Sequence, residues 1–234
     1  MFGVVGSGFA MFLAFVIFVV FSSYREAEGN AASEAVAVRQ MFRTADLFEA
    51  ADEAALRADL VCYARSVIGL EWEAMESQTD SDVVDLWLDG FERTLASANV
   101  AEPRAQIALG HWLAQTAIRQ EGRRGRISEA SPVIAPFVWV ALFIIGFIVI
   151  GFMVLFADRR EHVLVQGFMI VSVTTMVVAG LAVVAFLDRP YGDHGGSVEP
   201  EAMERTRESM EMTLNADGVA LVRCDALGAP LADA

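Results

Sequence analysis

Few residues in this 234-residue chain are placed to do covalent chemistry. The three histidines, His111, His162 and His194, stand far apart, and none pairs with another at metal-ligand spacing. Neither Cys62 nor any serine sits in a nucleophile motif, so the chain reads as non-enzymatic, with no cofactor and no metal. His111 falls on an apolar helical face and reads as a hydrogen-bonded core histidine, while His162 reads as interfacial. Two polar clusters remain. Glu71-Trp72-Glu73 is expected to be a solvated carboxylate pair flanking a packed Trp; the alternative is a buried carboxylate paired with Arg119 or Arg123. Residues 119–126 concentrate Arg119, Arg123, Arg124 and Arg126 beside an apolar stretch. They read as contacts to anionic lipid headgroups, each charge contributing about 1 kcal/mol near a membrane surface. Repeated around an oligomer, the same arginines would instead concentrate inorganic anions at a pore mouth.

Apolar residues carry a second pattern. Phe9, Phe12, Phe15, Phe18 and Phe21 recur at every third position. That spacing winds around a helix by about 60° per step, so one pore cannot receive them all. One or two can still form a hydrophobic constriction that gates by dewetting. Ser172, Thr175, Ala179 and Ala182 put small residues on one helical face, which lets a neighbouring helix approach closely.

Long helices must position these groups. Residues 1–21, 131–157 and 163–187 are apolar and nearly free of charge. Each is at least about 20 residues, the length a helix needs to cross a bilayer. They predict an all-α integral membrane protein with three transmembrane helices and an inserted cytoplasmic helical domain. The expected order is a span over 1–23, a helical bundle over 24–130, a span over 131–157, an external loop over 158–162, a span over 163–187 and an acidic cytoplasmic tail over 188–234. The first stretch lacks a basic lead-in and a small-x-small cleavage site, so it reads as an uncleaved span. Composition agrees: 55% of residues are hydrophobic and mean hydropathy is +0.46. A net charge of −14 with no lysine excludes nucleic acid as a partner. No charge lies inside a span, which disfavours proton-coupled transport. Cys62 in the block and Cys224 in the tail read as separate thiols in a reducing compartment.

Arg25, Arg119, Arg123, Arg124, Arg126 and Arg189 flank the spans on the side of block and tail, against Arg159 and Arg160 in the opposite loop. This bias puts block and tail in the cytoplasm. Within the block, Val38, Phe42, Ala45 and Phe48 step at helical period, as do Leu56, Leu60, Tyr63, Val67, Leu70 and Ala74. Val84, Trp87, Phe91 and Leu95 form a third stripe, and Ile107, His111, Ala114 and Ile118 a fourth. Breaks are expected at residues 29–30, 51–52, 77–80 and 99–103, with Pro103 opening the last helix. The first helix is expected to continue from its span. In the tail a short helix near 200–212 is expected, with flexible residues beyond.

An ordered set of elements then resembles a family of bacterial bestrophin-like membrane proteins. A Phe-rich span runs into Tyr24, Ala27 and Glu34; Tyr63 and the Glu71-Trp72 pair follow, then Arg119, Arg123 and Arg124. Pro136 and Trp139 mark a span entry, and Asp188-Arg189-Pro190-Tyr191-Gly192 a span exit. The resemblance implies a homo-oligomer in the bacterial inner membrane, a pentamer if bestrophin-like, that conducts inorganic anions with the first span lining the pore. It implies a constriction at Phe15, with Phe12 its neighbour. The acidic run that binds calcium in bestrophins is replaced after Asp193 by His194-Gly195-Gly196, so no metal is assigned. The family usually has two spans before the cytoplasmic domain, whereas this chain shows one; the first is either absent or encoded upstream. The alternative function is a non-conducting membrane scaffold or regulatory protein whose helical bundle binds a partner.

Overall fold

A computed structural model describes residues 2–155, 162–192, 194–219 and 223–231, with side chains from residue 4. The expected external loop therefore lies almost wholly outside the described residues, as do Arg159, Arg160 and Asp193. The described residues are mainly helical: α1 (Phe2–Thr44), a 3-10 turn (Ala45–Leu47), α2 (Ala50–Ser66), a π turn (Val67–Glu71), α3 (Trp72–Glu76), α4 (Asp82–Ser97), α5 (Pro103–Glu129), α6 (Pro136–Leu155), α7 (Val163–Leu187) and α8 (Glu201–Ala216). The chain forms two compact units, Met1–Arg25 with Ser131–Ser197, and Glu26–Ala130 with Val198–Ala234.

The first unit holds three helices long and apolar enough to cross a membrane. Phe9, Leu13, Val16 and Val20 of α1 pack with Leu142 and Val149 of α6 and with Val177 and Val184 of α7. Glycine permits the close approach: a Cβ on Gly146 would lie 3.2 Å from Val177 Cγ1, and one on Gly180 would lie 2.5 Å from Leu13 Cδ2.

The second unit buries a conventional aromatic and aliphatic core. Val38, Phe42, Ala45, Phe48, Leu56, Leu60, Tyr63, Val84, Trp87, Phe91 and Trp112 all contribute. Phe48, Phe91 and Trp112 meet edge to face, with centroids 6.0 to 6.1 Å apart. Asp82 and Asp85 favour the start of α4 through the helix dipole, and Pro103 occupies the first turn of α5. Gln78, at φ 61, ends α3 in the left-handed region.

Four expectations are corrected here. No break occurs at Gly29-Asn30, because α1 runs unbroken to Thr44. The interruption expected at 51–52 falls earlier, at the 3-10 turn of Ala45–Leu47. The predicted α5 stripe points outward: Ile107 and Ile118 are 60% and 41% exposed, and His111 is exposed rather than in the core. The inward face is Ala108, Trp112, Arg119, Gly122 and Arg126 instead. The neighbours decide this, since Gly122 lies so close to α1 that a Cβ would stand 2.9 Å from the Asn30 carbonyl and the Glu34 nitrogen. Finally, residues 223–231 are docked and tied by a Cys62–Cys224 disulfide, so the cysteines are not separate thiols. Their 162-residue separation hid the pairing.

Candidate functional site

Some of the residues singled out by sequence gather into two constellations, one in each unit, while Phe15, Arg124 and the small-residue face of α7 stay exposed outside them. The larger is a buried ionic network in the helical unit. The π turn creates it. One extra residue in that turn advances the helical phase, so Glu71 and Met75 point inward where Leu70 and Ala74 were expected. Glu34 of α1, Glu71 and Arg126 of α5 are all 0% exposed. Arg126 donates from Nε to Glu34 Oε2 at 2.8 Å and from Nη2 to Glu34 Oε1 at 3.2 Å, and its Nη2 also reaches Glu71 Oε2. Its guanidinium lies over the Trp72 ring, 5.1 Å from the centroid. Arg123 donates from Nε to Glu71 Oε1 at 2.9 Å and from Nη1 to Asp85 Oδ1 of α4 at 2.6 Å. Tyr63 of α2 donates its hydroxyl proton to Glu34 Oε1 at 2.5 Å. Arg119 covers the Tyr63 ring and is itself buried.

The electrostatics favour a fixed charge pattern. Burial alone would push the Glu71 carboxyl up, but Arg126 and Arg123 outweigh it and hold the group below its ordinary range. Burial, followed by the Glu34 charge, pushes the Tyr63 phenol far up, so it remains a donor. Two carboxylates shared by two guanidiniums and a permanent donor offer no general base and no nucleophile. The arrangement instead clamps α1, α2, α4 and α5 together.

Sequence reasoning placed Glu71 in water, and it is buried; the ion-paired alternative is the structure, with Arg123 and Arg126 as partners. Headgroup or anion contact does not fit Arg119 and Arg126, which the core encloses, whereas Arg124 is exposed. The Glu34–Arg126 pair is not legible from spacing, because 92 residues separate its members.

The second constellation lies in the membrane unit, before α6 and after α7. Asp188, 6% exposed, accepts from the Ile134 nitrogen at Oδ1 (2.7 Å) and from Trp139 Nε1 at Oδ2 (3.3 Å). Its carbonyl accepts from the Val133 nitrogen at 3.4 Å. This carboxylate thus fixes the entry to α6, which Pro136 opens. Pro190 and Tyr191 are buried beside it and Arg189 is exposed. On α1, Phe15 is 65% exposed and Phe12 half-buried. Ser172, Thr175, Ala179 and Ala182 are all exposed on α7, so that face is left uncovered among the described residues.

Two crystal structures of a bacterial bestrophin homolog from Klebsiella pneumoniae, each carrying one substitution, match with TM-scores of 0.64 and 0.62. Identity is 17% and 16%; each match covers 92% of this chain, and 85% and 86% of the homolog. A crystal structure of another substituted membrane protein matches at TM-score 0.60 and 16% identity, over 89% of this chain and 86% of that one. No curated protein matches. The family model of the bestrophin-like domain matches residues 1–203, a span that contains both constellations, and the chain therefore belongs to the bestrophin-like family of membrane proteins.

Proposed function

We propose that this chain assembles as a homo-oligomer, five copies around an axis, and conducts inorganic anions along a pore lined by α1. The observation that carries this reading is the exposed face of α1 in the membrane unit, where small and hydroxyl-bearing residues stand among phenylalanines. On α6 the outward residues include Phe137, Phe143 and Phe147, side chains lipid accepts without cost, while α7 exposes Leu164 and Phe168 together with Ser172, Thr175, Ala179 and Ala182. The outward stripe of α1 is Ser7 or Gly8, Met11, Phe15, Phe18 and Ser22, with Ala14 beside it. Small and hydroxyl-bearing residues there suit an aqueous lumen, and Phe15, with Phe12 adjacent, suits a hydrophobic constriction. The small-residue face of α7 suits close contact with a neighbouring copy. Arg124, exposed on the helical unit, is the member of the arginine cluster left to meet anions or headgroups.

The same reading places the helical unit and tail on the cytoplasmic side of a bacterial inner membrane. The arginine bias supports this even though Arg119 and Arg126 are buried once folded, because the bias acts on the chain as it inserts. Native mass spectrometry of the protein in mild detergent tests assembly; a discrete five-subunit ring is expected, and a persistent monomer overturns the channel. In anion-loaded liposomes, Phe15→Ala is expected to raise anion efflux; unchanged flux through an active preparation overturns the α1 pore assignment.

A further inference from the structure

The segment 223–231 lies against α2, the π turn and α4, held by one covalent bond and little apolar burial. Cys62 and Cys224 are 0% and 4% exposed, but Leu227 and Leu231 of the segment remain 53% and 42% exposed. The other ties are polar. Arg223 Nη1 donates to Asp59 Oδ1 at 2.7 Å, Arg65 Nη1 to the Asp225 carbonyl at 3.0 Å, and Trp87 Nε1 to the Gly228 carbonyl at 2.8 Å. Gly228, at φ +85, lies flat on α2, where a Cβ would come within 2.2 Å of the Ser66 nitrogen. Ordering backbone costs about 1–2 kcal/mol per residue, while each such hydrogen bond contributes about 1 kcal/mol net. The polar contacts alone do not offset that cost, so the disulfide decides whether the segment is docked.

We propose that Cys62 and Cys224 form a thiol–disulfide switch that docks or frees this segment. Two consequences follow from its neighbours. Leu227 presses on Gly69 of the π turn, where a Cβ would lie 3.1 Å from Leu227 Cδ2, two residues from the network carboxylate Glu71. Arg223 and Pro230 also wall a cleft of about 530 Å³ whose other sides include Asp59, Leu86 and Arg93. Release removes that wall and unloads the π turn.

The proposal rests on the cytoplasmic placement of the helical unit, where disulfides form and break by exchange. A thiolate of an external dithiol attacks Sγ of Cys224, the less buried residue of the pair. The S–S bond breaks, Cys62 leaves as the thiolate, and a mixed disulfide forms. The second thiol of the reductant attacks this mixed disulfide and expels the Cys224 thiolate. Two electrons and two protons pass from the dithiol to the cysteine pair, and the reductant ends as its own disulfide. Oxidation by an external disulfide reverses the sequence.

The test is trypsin cleavage after Arg223 in the full chain, with and without dithiothreitol. Reduction is expected to speed cleavage about tenfold by local release, and oxidised glutathione to restore protection. Cys62→Ala and Cys224→Ala should be cleaved fast in both conditions. Equal rates in the two redox states of the unsubstituted chain, or a disulfide that resists dithiothreitol in the native protein, overturns the switch and leaves the channel reading standing. Protease protection in inside-out vesicles separates the two: a helical unit on the external side overturns the switch and the orientation together.

Discussion

The two units use charge and apolar surface in opposite ways. In the membrane unit the large side chains face outward, Phe147 at 78% and Leu164 at 81% exposed, and close approach at Gly146 and Gly180 holds the helices. In the helical unit a few charges face inward, with Glu34, Glu71 and Arg126 fully enclosed. Lipid removes the penalty on exposed apolar groups, so the first unit is built from steric fit. Water imposes that penalty on the second, which then has a core able to enclose charges, provided that each finds its partner.

The contrast breaks most readily at its hub. Arg126→Met leaves two buried carboxylates facing each other and is expected to cost about 3–5 kcal/mol in thermal unfolding of the helical unit. Adding Glu34→Gln and Glu71→Gln should recover part of that loss; no recovery would show that packing, not charge, carries the clamp. A smaller loss, about 1–3 kcal/mol, is expected for Gly122→Val, because the new side chain meets α1 backbone, which cannot yield as a side chain does. Acid titration sharpens the electrostatic half. Glu71 is held below its ordinary value, so its stabilisation is complete above 4.5 and disappears as pH falls through the lower folded value. Asp59 is the reverse: burial raises its pKa despite Arg223, so its cost is present at neutral pH and eases as pH falls through that raised value. Melting curves against pH should therefore lose their steep acid limb in Glu71→Gln and their earlier upturn in Asp59→Asn. At the small end, Phe147→Ala should change unfolding by less than about 0.5 kcal/mol, since the side chain is 78% exposed.

Much of the fold was legible because helical period and span length are local properties. α1 continuing out of its span, α5 opening at Pro103 and a helix near residue 201 all followed from short-range patterns. The site was legible only in part. Tyr63, Glu71, Arg119 and Arg123 were picked out, but the exposure of Glu71 was misjudged, because a π turn shifts the phase and leaves no clear mark in side-chain periodicity. The inward face of α5 was misjudged for a related reason. Ile107, His111, Ala114 and Ile118 form a plausible apolar stripe, yet Trp112 and Gly122 fit the available neighbours better.

By itself the sequence determined the solvent of each part: which stretches suit lipid, which suit water, and that everything between is helical. These follow from composition summed over tens of residues, where propensity and hydropathy act additively. Tertiary structure alone decided which charges pair, which helix face turns inward and that Cys62 meets Cys224. Those outcomes depend on residues as far as 162 positions apart meeting in space, and on single-residue phase, which no local average preserves.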